Sequence, residues 1–119
     1  MNYFIINSGI IGADKEDEIM ISSNAMDRIK FLKNKKNLQD SFIRIGVLGS
    51  ACEGLRFSLG FDKELTIYDR KFYIEDELIV IDIKSIFYLL GVKLEYDLNG
   101  NKTFEFVMPF NMRAMDCSI

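Results

Sequence analysis

A chain of 119 residues, 49% of them apolar, suffices for one domain with a buried core and is short for two. The formal net charge is −3 and there is no histidine. That removes His-based triads, histidine metal ligands and a histidine general base, and it leaves no general basic footprint for nucleic acid.

The first stretch, residues 1–13, is apolar but lacks a basic start and contains Asn2, Asn7 and Ser8. Asp14, Lys15, Glu16, Asp17 and Glu18 follow it. This argues against a secretory signal and against an Arg-rich transit peptide. No apolar run approaches the ~20 residues of a membrane span. The expectation is an intracellular, cytoplasmic chain, or a mitochondrial-matrix one if the source is eukaryotic. Tyr3 to Ile6 reads as an edge strand or as a lead without structure. Residues 12–18 read as a loop, so 1–18 is taken as an N-terminal extension and 19–119 as the domain.

Ile19-Met20-Ile21 is a short strand. Ser22, Ser23 and Asn24 follow, any of which can accept from the free N–H groups of a helix start. The helix expected next covers roughly Asn24 to Lys36, with Ala25, Ile29 and Leu32 on one face and Met26 beside them. Lys30, Lys33, Lys35 and Lys36 crowd its second half, where cations favour the negative end of the helix; they read as a solvated face or as a partner site. Phe42 to Leu48 alternates as a strand, with Ile43, Ile45 and Val47 on one side. Leu55 to Phe61 alternates again, with Leu55, Phe57, Leu59 and Phe61 on one face. Asp62 to Asp69 is a polar connection. Lys71 to Ile74 and Leu78 to Ile81 are two strands joined by an acidic turn at Glu75-Asp76-Glu77. Asp82 caps a short helix, roughly Lys84 to Leu90, stopped by Gly91. Val92 to Tyr96 and Thr103 to Met108 are strands joined at Asn99-Gly100, a dipeptide suited to a tight type I′ turn. Pro109 ends the last of them because it lacks a donor. No period runs through the tail from Phe110 to Ile119. The whole reads as a strand-rich α+β domain of short mixed or antiparallel strands, with one main helix and one short helix.

Two cysteines do not make a disulfide framework. Cys52 lies between the two alternating strands in Gly49-Ser50-Ala51-Cys52-Glu53-Gly54, where glycine admits positive φ and close approach of other groups. Cys117 stands near the C-terminus. On the residues alone, Cys52 is either a thiol offered to a ligand or a small buried residue, and Cys117 is either its partner or incidental. Arg44 and Arg56 flank the loop. They either favour a thiolate there or are solvated strand residues. A Cys52 nucleophile is the weakest reading, because no histidine can serve as its base.

An ordered set of these stretches resembles the A-type iron–sulfur carriers, the HesB/IscA-like family. Ile19-Met20-Ile21-Ser22 leads into Ala25 and Arg28-Ile29, as the family's strand leads into its first helix. Ile43-Arg44-Ile45-Gly46-Val47 stands before the cysteine loop, and Cys52-Glu53-Gly54 is similar to the family's Cys-Ser/Ala-Gly. Ile79-Val80-Ile81-Asp82, Lys84-Ser85, Tyr88-Leu89 and Leu94-Glu95-Tyr96 match in turn. Pro109 to Cys117 stands where the family has Asn-Pro-Asn followed by Cys-Gly-Cys. The likeness covers about residues 19–117.

There are departures. Met115 stands where the terminal pair has its first cysteine, with Asp116 before Cys117. Gly49-Ser50-Ala51-Cys52 replaces Gly-Gly-Gly-Cys, and Ile83 replaces a usual proline. The resemblance implies a HesB-like domain that is not an enzyme. It carries an iron–sulfur cluster, 2Fe–2S or 4Fe–4S, or iron, held by Cys52 and Cys117 across a homodimer. It takes its cargo from donor proteins and delivers it to apo iron–sulfur proteins, with no nucleic-acid or membrane partner. The alternative is a degenerate relative that serves as a protein-interaction module without a cluster.

Overall fold

The computed structural model describes residues 2–7, 18–49 and 54–108. Their elements run in the order β1 (Tyr3–Ile6), β2 (Ile19–Ser22), α1 (Ser23–Lys35), β3 (Phe42–Leu48), β4 (Arg56–Asp62), β5 (Asp69–Ile74), β6 (Glu77–Asp82), α2 (Ile83–Leu89), β7 (Lys93–Tyr96) and β8 (Phe104–Val107). The strands form two four-stranded sheets, ordered β1-β2-β7-β8 and β4-β3-β6-β5. In each sheet the central pair is parallel, β2 with β7 and β3 with β6, and the flanking pairs are antiparallel. The expected strand-rich α+β domain with mixed pairing is the observed one.

Both helices start at the last residue of a strand, and a side chain makes the junction in each case. Ser22 ends β2, and its Oγ accepts from the backbone N–H of Ala25 at 3.1 Å. Asp82 ends β6, and its Oδ2 accepts from the N–H of Ser85 at 3.1 Å. Such caps satisfy donors that a helix start leaves unpaired. The buried face of α1 consists of Ala25, Met26 and Ile29, which pack with Ile21, Ile43, Ile45, Ile79, Ile81 and Leu94 into one core. Burying side chains of this size contributes roughly 1.5–3 kcal/mol each, which offsets the entropy of ordering many short strands.

Three expectations need correction. Lys33 is not on a solvated face: it is buried, and its Nζ donates to Glu77 Oε2 at 2.8 Å, while Lys30 donates to Glu75 at 2.7 Å. These pairs tie α1 to the β5–β6 turn. Position 33 falls on the inward side of the helix, and its long stem lets the ammonium reach a carboxylate at the core's edge. Leu32, expected on the buried face, is only half-buried.

The connection at Asn99-Gly100 is wider than a two-residue turn. The β7–β8 ladder ends at Tyr96↔Phe104, and the residue there with positive φ is Lys102, at 56°. The carboxylate of Asp97 organises this loop by accepting from the N–H of Gly100 and of Asn101, both at 2.9 Å. A Cβ at Gly100 would meet the carboxylate of Asp97, so a side chain there would push that carboxylate aside.

Tyr3–Ile6 is an edge strand. It pairs antiparallel with β2, and Ile6 is 2% exposed within the core. Residues 3–6 of the stretch before residue 19 thus belong to the sheet.

Candidate functional site

β3 and β4 form one continuous antiparallel ladder from Phe42↔Asp62 to Leu48↔Arg56. The connection between them, residues 49–55, is the one that carries Cys52. Its glycines bracket it structurally. Gly49 has φ 86° and Gly54 φ 91°, conformations that L side chains rarely adopt. A Cβ on Gly49 would lie 2.8 Å from the carbonyl oxygen of Gly54, so the two ends of the loop approach backbone to backbone.

The base of this loop is anchored on both sides. The ladder between β3 and β6 covers Ile43↔Ile79 and Arg44↔Val80, after which β6 gives way to α2. Ser85 of α2 takes over there. Its Oγ accepts from the N–H of Val47 at 2.9 Å and donates to Asp82 Oδ1 at 2.6 Å. A backbone donor just before the loop is thereby paired, and the cap of α2 is joined to the end of β3.

On the other side, Phe57 of β4 stacks on Phe106 of β8, with ring centroids 4.8 Å apart and planes 14° from parallel. This contact joins the two sheets. It places the strand that leaves the Cys52 loop beside the strand that leads to Cys117. At the same end Leu48 is 55% exposed and Val107 37% exposed.

Cys52 and Cys117 themselves, with Glu53, Pro109, Met115 and Asp116, lie outside the described residues. Among the described residues no three carboxylates or cysteines stand together in a group able to hold a metal ion.

Arg44 does not serve the loop. It pairs with Gly60, toward the far end of the ladder. Its Nε donates to Asp62 Oδ2, and its Nη1 and Nη2 donate to the two oxygens of Asp69, each at 2.8 Å. Nη2 also reaches the carbonyl of Glu64 at 3.1 Å. The hydrogen bonds from Arg44 are the main cause of the low pKa of the Asp69 carboxyl, which is held down to about 2. They also lower that of Asp62, and the same contacts raise that of the guanidinium. Arg44 is a clasp that closes the β4–β5 connection onto β3. Arg56, exposed and opposite Leu48, is the flanking arginine that remains at the base of the loop.

No family model matches the sequence. A protein of Pyropia yezoensis, named uncharacterized protein ycf83, is 31% identical over 103 residues, which cover 83% of this chain and 89% of that one. The iron–sulfur cluster insertion protein ErpA of Saccharophagus degradans is 27% identical over 101 residues, 85% of this chain and 86% of its own length. Among solved structures, Escherichia coli SufA, described as involved in biosynthesis of iron–sulfur clusters, superposes with a TM-score of 0.59 at 20% identity, over 75% of this chain and 83% of that one. The structure of IscA with its 2Fe–2S cluster gives 0.56 at 21% identity, over 75% and 80%.

The chain belongs to the HesB/IscA-like family of A-type carriers. Its two mixed sheets and two strand-capped helices are the fold of that family. Two features that hold the base of the Cys52 loop were not legible as such. Alternation marked Phe57 as part of an apolar face but could not name Phe106 as its partner. Ser85 read only as a helix residue, although its place three residues after a capping aspartate was a signal that its N–H would be engaged.

Proposed function

We infer that this protein carries iron–sulfur clusters, or iron, and passes them to apo-proteins, with Cys52 and Cys117 as ligands and a two-fold dimer as the holding unit. The single observation that supports it most is the Phe57–Phe106 stack. In a fold shared with a structure of IscA with its 2Fe–2S cluster, the stack sets the strand from one thiol segment beside the strand toward the other. A relative named for cluster insertion agrees with this reading.

The cluster is cargo. Four thiolates ordinarily hold one, a chain supplies two, and two copies related by a two-fold axis supply four. The exposed Leu48 and Val107 give the cysteine-loop end apolar surface for a second copy. Delivery is ligand exchange: acceptor thiolates replace those of the carrier one by one, with no change in the cluster's electron count. The protein is on this reading a carrier without catalytic turnover, working in a reducing compartment such as the cytoplasm, where thiols stay free.

The test is anaerobic reconstitution with iron and sulfide, followed by absorption and Mössbauer spectra, with the oligomer mass and the iron and sulfide counted per dimer. Retained cluster in the parent and its loss in the double Cys52→Ser, Cys117→Ser variant support the carrier. Equal cluster in parent and double variant overturns it. A parent that binds no iron points to the interaction-module alternative, which Met115 in place of a family cysteine favours. In that case Met115→Cys restores binding.

A further inference from the structure

A groove of about 920 Å³ opens between α1, β4 and β8. Its lining includes Ile29 and Leu32 of α1, Leu59 and Phe61 of β4, and Phe104 and Phe106 of β8. β4 and β8 are edge strands of their two sheets. The inward face of β4 packs against the core yet remains only partly buried. Lys36, Asp62, Lys63 and Glu64 also line the groove, so apolar side chains and charges share it.

The chain itself supplies a matching segment. β8 ends at Val107, directly after Phe106 of the groove's wall, and residues 109–119 follow it in the sequence. Their first part reads Phe110-Asn111-Met112-Arg113-Ala114, apolar at every second position. In an extended conformation 110–114 spans four rises of ~3.4 Å, the same span that Phe57 to Phe61 covers in β4. Pro109 has no N–H to continue the pairing of β8, which suits a reversal of direction there.

We propose that the C-terminal segment of the same chain is the occupant of this groove, with Phe110 and Met112 seated against Leu32 and Leu59. The groove is then an internal docking surface for the chain's own end, in place of a small-molecule pocket. This docking involves no cluster ligand and takes place in the metal-free protein.

The experiment is nuclear Overhauser spectroscopy on the full, metal-free chain with labelled Leu and Met methyl groups and labelled Phe rings. The expected result is cross-peaks from the Phe110 ring and the Met112 methyl to Leu32 and Leu59 methyls. The double Phe110→Ser, Met112→Ser variant should lose these peaks and shift the Leu32 and Leu59 signals while Leu94, in the core, stays in place. Absence of the cross-peaks overturns the proposal, as do groove signals unmoved in the variant. A sample mixing labelled and unlabelled chains identifies the source. Contacts arising between chains would mean that a second copy fills the groove, and that too overturns it.

Discussion

Replacing Arg44 by methionine tests whether the clasp on β3 holds the fold or merely decorates it. The carboxylate of Asp69 is 2% exposed at its side chain, and both its oxygens accept from the guanidinium. Asp62 is 40% exposed at its side chain and regains water when Arg44 is lost. The cost therefore concentrates on Asp69, left charged and buried. Breaking a buried ion pair typically costs ~3–5 kcal/mol. Here the Arg44 side chain is 26% exposed and the N–H of Thr66 still donates to Asp69 at 2.8 Å. The expected loss is accordingly smaller, about 2–3 kcal/mol.

Urea unfolding followed by far-ultraviolet circular dichroism measures it, and Asp69→Asn in the same background should recover roughly half, because it removes the stranded charge. The pH dependence carries a second signature. The folded pKa of Asp69 is depressed from 3.8 to about 2. Its contribution is thus fully present above about pH 4 and is lost as pH falls through about 2. Without Arg44 the folded pKa rises, and acid unfolding should begin at higher pH. A loss under about 0.5 kcal/mol, with no recovery in the double variant and an unshifted acid transition, would show Arg44 to be an ordinary solvated strand residue.

Other substitutions have expected outcomes too. Lys33→Ala should cost about 2 kcal/mol in urea unfolding, because it leaves Glu77 without its buried partner, whereas Lys35→Ala, on the exposed face, should stay within about 0.5 kcal/mol. Gly49→Ala should destabilise by about 2 kcal/mol or more in thermal melts, since it forces a side chain to φ 86° against the Gly54 carbonyl. Phe57→Ala should cost about 2 kcal/mol, and a cycle with Phe106→Ala should show coupling near 1 kcal/mol if the stack joins the sheets. Cys52→Ser removes two of the four thiolates from a dimer at once and should abolish cluster retention. Cys117→Ser should do the same or leave a labile site, and Met115→Cys should strengthen binding by adding a thiolate. Iron and sulfide counts per dimer decide these last three.

Several elements were legible because their determinants are local. Asp82 and one of Ser22, Ser23 and Asn24 were the expected caps, and in the structure Asp82 and Ser22 each accept from the N–H three residues on. β3 runs from Phe42 to Leu48 as its alternation predicted. Asn99-Gly100 misled because the side chain of Asp97, two residues before Asn99, competes for the same N–H groups, and dipeptide preference does not weigh such a competitor. Lys33 misled because charge argues for water, while its partner Glu77 comes from a strand distant in the chain.

By itself the sequence determined the order and type of the elements, the glycine-bracketed loop at Cys52 and the family likeness, since each of these is carried by residues adjacent in the chain. Tertiary structure decided what depends on residues far apart: that Phe57 meets Phe106, that Ser85 pairs the N–H of Val47, that Arg44 closes on Asp69 away from the loop. Hydrophobic patterning says which side chains turn inward, because removal from water does not depend on the partner. Which of them meet depends on the geometry of two sheets packed together, and only the folded chain provides it.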